Sequence, residues 1–169
     1  MNMNRIKLLL PILCILTSVI VAGQFELAES SNSSASLVFN IGDITFENVE
    51  DYSRIIEHNS GTLMEEGMPE LPVFSTFYQV FDGVEYDIDY IVHQSHIIEN
   101  ITLFPNQIDN DKLSVDQDII KNTDFYSSQE IYPAESLVIS EKMTMRDVKF
   151  LQVTVIPYRY FPHLNQLEV

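Results

Sequence analysis

Apolar and polar residues alternate with a period of two through much of the chain. Tyr86, Ile88, Tyr90 and Val92 recur at every second position, with Asp87 and Asp89 between them. That period puts the two sets on opposite faces of a half-buried strand. Asp82-Gly83, just ahead, is a dipeptide that turns hairpins. Residues 146–156 give the clearest strand, with Leu151, Val153 and Val155 facing one way and Phe150, Gln152 and Thr154 the other. Val38, Phe39, Ile41, Ile44, Phe46 and Val49 predict two short strands around the Gly42-Asp43 turn pair. Residues 51–58 (DYSRIIEH) and 131–140 also lean to strand, and 164–169 has the pattern of a strand just starting. Two prolines and two glycines break residues 59–72 (NSGTLMEEGMPELP). Residues 105–128 are the most polar stretch and predict a long surface loop, a feature often tied to function. No segment carries a helical period. The expectation is an all-β fold, a β-sandwich of antiparallel strands.

The first residues fall outside that pattern. Arg5 and Lys7 precede residues 8–22 (LLLPILCILTSVIVA), an uncharged run, and Ala22-Gly23 offers a cleavage point before Gln24. These are the three parts of a secretory signal peptide. The run is short of the ~20 residues of a membrane span, which weighs against an uncleaved anchor. Residues 1–23 therefore predict a signal peptide, 24–36 a flexible Ser-rich lead-in, and 37–169 the β domain. The destination is outside the cell or its surface, by the Sec pathway.

Cys14 is the only cysteine, inside the apolar run. Leu13 precedes it where a lipoprotein site would have a small residue. Cleavage leaves no thiol, which excludes a disulfide and a cysteine nucleophile. The full chain carries a net charge of −16, and loss of Arg5 and Lys7 makes it two units more negative. Such a surface repels phosphate backbones and excludes nucleic acid as a partner. It suits solubility outside the cell, or steering towards a less acidic protein.

Tests for chemistry return little. Ser, His and Asp are present, but no Ser has the spacing of a nucleophile elbow. His93 and His96 lie three apart, on opposite faces if the segment is a strand, so one ion could not bind both. Asp109, Asp111, Asp116 and Asp118 suggest calcium. An EF-hand register starting at Asp109 fails, since Leu113, Ser114 and Ile120 occupy positions five, six and twelve. A looser calcium site stays open beside the reading of a solvated acidic loop. Asn32 and Asn100 begin glycosylation sequons, a pattern frequent by chance.

One ordered series of residues goes beyond fold class: Gly67-Met68-Pro69-Glu70-Leu71-Pro72, Tyr132-Pro133, Arg146, Pro157, Tyr160-Phe161-Pro162 and Leu167. Pro69 and Pro72 fix φ and remove two donors, so strand entry there is rigid, and Gly67 can take a positive φ. In order and spacing the series resembles the propeptide of gingipain-type (C25) cysteine peptidases, over residues 37–169. The resemblance departs in two places. Asp147 follows Arg146 where the family has Gly, and Phe161 stands where the family turn has Asn.

The resemblance implies a non-catalytic β-sandwich, without cofactor, that covers the cleft of a cognate cysteine peptidase domain, holds it latent and assists its folding. The catalytic domain is not in this sequence, so the chain reads as a fragment truncated at its C-terminal end. Residues 106–128 are the candidate loop for entering the cleft, with Lys112 and Lys121 its basic side chains. The alternative is a stand-alone secreted β-sandwich that binds a surface glycan or protein through exposed Tyr126 or Tyr158.

Overall fold

In the computed structural model, residues 24–31, 34–81, 83–108 and 118–169 are described. The signal peptide expected at 1–23, the turn at Asp82, the sequon residue Asn32, Lys112, and Asp109, Asp111 and Asp116 lie outside them.

The fold is all-β, built of antiparallel sheets around one core. Its largest sheet is centred on β6 (Pro72–Val80) and β10 (Val148–Val155), paired from Phe74 opposite Val155 to Val80 opposite Lys149. β5 (Gly61–Thr62) extends it beside β6. β8 (Leu137–Ile139) and β9 (Met143–Met145) pair successive stretches of β10 on its other side. The alternation expected over 146–156 holds. Leu151 is buried on the inner face, with Phe74 and Val80 beside it on β6. On the outer face Phe150 meets Phe77 edge to face, ring centroids 5.2 Å apart, and the Ser75 and Thr154 hydroxyls lie 2.8 Å apart.

A second sheet has the order β11-β12-β7, from β11 (Arg159–Phe161), β12 (Gln166–Glu168) and β7 (Ile97–Glu99). The strand starting in residues 164–169 is thus a central one, paired on both sides. A 3-10 turn, Pro162–Leu164, joins β11 to β12 and closes on Asn165 at φ +49. Pro162 suits the first position of that turn, where its missing N–H has no partner to lose. The left-handed residue is Asn165, while Phe161, the departure from the family turn, stays extended.

Two hairpins complete the domain. β3 (Thr45–Val49) and β4 (Tyr52–Ile56) pair with each other, as residues 51–58 suggested. β1 (Phe25–Ser30) pairs with β2 (Ala35–Phe39) across a bulge. Polarity alone suggested a flexible lead-in at 24–36, but Phe25 stacks on Phe39 at 5.0 Å and Phe39 on Phe74 at 5.2 Å. Those two rings moor the hairpin to the core. The strands expected around Gly42-Asp43 form, but β2 and β3 belong to different sheets.

Two expectations fail outright. Residues 83–96, read as strand, are irregular, and Ile88, Tyr90 and Val92 face solvent. Residues 105–128 are not simply surface loop, because residues 105–107 are buried and a single helical turn, α1 (Thr123–Tyr126), follows.

The core gathers Leu71, Phe74, Leu103, Tyr158, Tyr160 and Leu167 from five parts of the chain, each no more than 1% exposed. The buried tyrosines keep their hydroxyls bonded, as burial demands. Tyr158 donates to Glu57 Oε1 at 3.2 Å, and Tyr160 to the Ile101 carbonyl at 3.4 Å.

Arg146 (φ +48) and Asp147 (φ +67) form the two-residue turn between β9 and β10, both left-handed. Paired positive φ values define the turn type that matches the twist of a hairpin, and glycine fits it best. The missing family glycine therefore falls where an L-residue is strained. Asp147→Gly is expected to stabilise the domain by about 0.5–1 kcal/mol, the usual penalty of the left-handed region less the entropy of glycine. Urea unfolding monitored by tyrosine fluorescence measures it.

Candidate functional site

The motif that begins at Gly67 crosses the middle of the domain, and its backbone holds both flanks of the 106–128 region. Gly67 takes φ +75. A β-carbon on it would sit 2.9 Å from the Asn122 nitrogen, too close for any L-side chain. Its N–H donates to the Asn106 carbonyl at 2.8 Å, and its own carbonyl accepts from Asn122 N–H at 3.0 Å. Asn106 N–H donates to the Met68 carbonyl at 2.7 Å and Glu70 N–H to the Phe104 carbonyl at 2.8 Å. Pro69 faces Pro105 in an antiparallel bridge. Two prolines without donors can meet this way because their neighbours carry the pairing.

Side-chain amides complete the clamp. Gln107, 4% exposed, donates through Nε2 to the carbonyls of Pro105 (2.9 Å) and Ile120 (2.7 Å), and its Oε1 accepts from Ile120 N–H at 2.9 Å. Asn106 Nδ2 donates to the Leu63 carbonyl at 2.7 Å. Asn122 caps α1 by accepting from Phe125 N–H at 3.0 Å, the ordinary way of satisfying an orphan donor at a helix start. Residues 107 and 120 are therefore hydrogen-bonded neighbours.

Beside the clamp lies an open groove of about 510 Å³ lined by Glu65, Met68, Asn122, Asp124, Phe125, Ser128 and Glu130. Burial, with Glu65 nearby, raises the pKa of the Tyr132 hydroxyl. Among the described residues no group of three or more His, Cys, Asp or Glu is arranged to hold a metal ion. On the other side, Glu70 Oε2 and Arg54 Nε stand 3.3 Å apart, both buried and without hydrogen-bond geometry. The Arg54 guanidinium also lies 4.1 Å over the Phe104 ring. Burial raises the Glu70 pKa above the usual carboxylate value, and attraction to Arg54 offsets only part of that.

The structure brings most of the motif residues together. Gly67, Pro69, Leu71 and Pro72 are buried on the crossing segment, and Tyr132 bridges Tyr160 through reciprocal backbone bonds of 3.1 and 2.7 Å. Pro133 follows a cis bond and is buried, Pro162 is buried after β11, and Pro157 is half-buried between β10 and β11. Arg146 stands apart, exposed in its turn.

Three readings of candidate residues change. Lys121 is engaged within its own domain, its ammonium 4.5 Å over the Tyr126 ring and 5.2 Å over that of Tyr52, which argues against its entry into a partner's cleft. The platform tyrosines are interior. Tyr158 is fully buried, and Tyr126 donates its hydroxyl to the Leu103 carbonyl at 2.9 Å. His93 and His96 are exposed on an irregular segment, so the opposite-face argument does not apply to them. Asp118 is exposed.

The residues missed from sequence are Asn106, Gln107 and Asn122. Asn122 carried a signal, since Asn before Thr-Asp opens helices. The Gln107 clamp had none, because its partners are main-chain atoms of a residue thirteen positions away.

The family model Propeptide_C25 matches residues 22–169. This chain belongs to the C25 propeptide family. The match takes in the β1–β2 hairpin, beyond the span 37–169 on which the motif resemblance rested. Two solved structures share the fold. One is the complex of Porphyromonas gingivalis RgpB pro- and mature domains, with a TM-score of 0.76 and 19% identity, covering 86% of this chain and 79% of that one. The other, a structure on the zymogenic latency of gingipain K from Porphyromonas gingivalis, has a TM-score of 0.67 and 18% identity, covering 86% and 85%. No curated protein sequence matches. As a member of a propeptide family, the chain is a non-catalytic pro-region.

Gly67→Ala is expected to destabilise this C25 propeptide by about 2–3 kcal/mol, from left-handed strain and the Asn122 clash together. Hydrogen exchange of the Asn122 amide should rise with the loss, checking that the clamp itself opens. For Glu70, a folded pKa above the unfolded one means that the folded state holds the proton more tightly. Its contribution is fully present below the unfolded carboxylate pKa and is lost as pH rises through the folded value. Denaturant titrations of wild type and Glu70→Gln should match near pH 4. The wild type should fall behind the variant towards pH 7.

Proposed function

We propose that this propeptide holds a C25 cysteine peptidase domain latent by lying across its active-site cleft, and assists that domain's folding. The observation that carries the reading is the family match over residues 22–169. The likeness in fold to a chain from a complex of pro- and mature domains supports it. The cover is steric. The pro-region supplies no reacting group, so latency depends on interface area, and a stable interface of this kind buries about 1,600 Å² in total.

The clamp fits such a role. A segment that must hold its shape against a catalytic cleft gains from an anchor already ordered before docking, because ordering at the interface counts against affinity. The strongly acidic chain also favours a partner surface that is neutral or basic, which speeds encounter. Export follows from the same reading, since residues 1–23 have the three parts of a signal peptide. Among the described residues no helix is long and apolar enough to cross a membrane. The reading as a free-standing binding module loses its support, since Tyr158 is buried and Tyr126 is half-buried with its hydroxyl bonded to the Leu103 carbonyl.

Adding the purified chain to the C25 peptidase domain of its own precursor tests the reading. Hydrolysis of a peptide substrate is expected to slow at micromolar propeptide or below, with weaker inhibition as salt is raised from about 0.05 to 0.5 M. Undiminished hydrolysis at micromolar chain would refute latency.

A further inference from the structure

Residues 86–92 have the sequence of a strand and, among the described residues, no strand pairs with them. Ile88, Tyr90 and Val92 would share one face if the segment were paired as a strand, and they are 42%, 52% and 65% exposed. Among the described residues, no backbone group of 85–95 joins a backbone–backbone hydrogen bond. The ties are at its two ends, with His96 and Val169 exchanging backbone bonds of 2.8 and 2.9 Å at the far one, and within it only Tyr90 N–H is taken, by Asp89 Oδ1 at 2.8 Å. The Tyr86 hydroxyl accepts from Phe81 N–H at 2.6 Å, and Lys142 donates to the Val84 carbonyl while standing 5.3 Å over the Tyr86 ring. The segment is thus attached beside β9 and runs on from β6. There Phe77 and Phe81, each 64% exposed, extend the apolar surface. Exposed side chains of strand period together with unpaired backbone are what an added strand needs from a partner: ladder bonds for affinity and a groove for alternate side chains.

Charge selects among occupants. Glu85, Asp87 and Asp89 lie on the segment, and residues 83–96 contain no Lys or Arg. A second copy would set like charges opposite each other in the ladder, on chains of net charge −16, which is unfavourable. An anionic bilayer surface repels the same carboxylates. What fits is a protein sheet edge with an apolar groove and basic side chains on its rim.

We propose that residues 84–92 add as a strand to an exposed sheet edge of the peptidase domain. Ile88, Tyr90 and Val92 enter an apolar groove there, and Asp87 and Asp89 meet basic groups beside it. This rests on the latency reading above and names a docking surface distinct from the Gly67 clamp.

The test is hydrogen exchange of the full chain, alone and mixed with the peptidase domain of its own precursor whose active-site thiol is alkylated. Inhibition assays on the unmodified domain accompany it. Amides of 86–92 are expected to slow about tenfold or more on mixing, as new ladder bonds form. Tyr90→Asp with Val92→Asp should weaken inhibition about tenfold or more, the scale of a central anchor. Ile91→Ser, on the opposite face, should leave inhibition within about threefold of wild type. All three side chains are exposed, so unfolding midpoints should not move. If the double variant fails to fold, the exchange data on the wild-type chain decide.

Inhibition by the wild type with unchanged exchange at 86–92, or undiminished inhibition by a folded double variant, overturns the docking surface and leaves latency standing. Absence of inhibition and binding by the wild type overturns both. Protection of 86–92 that grows with concentration of the chain alone identifies a second copy as occupant, and also overturns the proposal.

Discussion

The approach of Gly67 to Asn122 is the constraint on which the rest of the domain turns. With 2.9 Å from a would-be β-carbon to the Asn122 nitrogen, only glycine lets the two backbones exchange their hydrogen bond. That single contact sets the depth at which the crossing segment lies. Once it is set, Asn106 reaches Gly67 and Met68, Pro69 comes opposite Pro105, and Leu71 arrives in the core fully buried. β6 then starts at Pro72 with Phe74 and Val80 on its buried inner face. The motif works through its backbone, with the prolines supplying stiffness and no donors left to satisfy.

Buried tyrosines do for the two sheets what the clamp does for their junction. Tyr160 lies on β11, bridges Tyr132, and shares its surroundings with Tyr126 at a ring distance of 6.0 Å. Each ring fills core volume, and each hydroxyl needs a fixed acceptor in a low-dielectric setting. The cost of leaving one unmet makes such positions selective for a single packing. Burial pushes the hydroxyl pKa of Tyr158 and Tyr160 upward, so these groups stay neutral. They serve the fold, which is why they make no platform for a ligand.

Much of this was legible in sequence wherever side-chain period and local turn chemistry decide the outcome. The alternation of Leu151, Val153 and Val155 gave β10 its inner face, and Gly67, Pro69 and Pro72 marked a rigid crossing. Illegible features were those decided by distant main-chain partners. Gln107 holds Ile120 through two amide contacts that no spacing rule encodes. The lead-in looked flexible because serines outnumber its apolar residues, yet Phe25 alone supplies the contact with Phe39 that fixes it. Residues 86–92 misled in the opposite sense. Their pattern specifies a buried face, and among the described residues nothing buries it.

The clamp and the unpaired segment stand in opposite thermodynamic positions. The clamp has its hydrogen bonds made before any partner arrives, with Gly67, Asn106 and Gln107 buried, so it adds little to binding except shape. The unpaired segment keeps exposed apolar groups, a standing cost in water that association can relieve. A pro-region must bind its peptidase well enough to silence it and must later be removable. On the proposed latency role, a rigid anchor with a smaller unpaired docking segment would meet both demands, since affinity would then reside in a stretch whose loss does not unfold the rest. Local stability is lowest where bonds are fewest. The irregular residues 85–95, mostly exposed and with no backbone–backbone bonds among the described residues, are therefore where this domain is easiest to open.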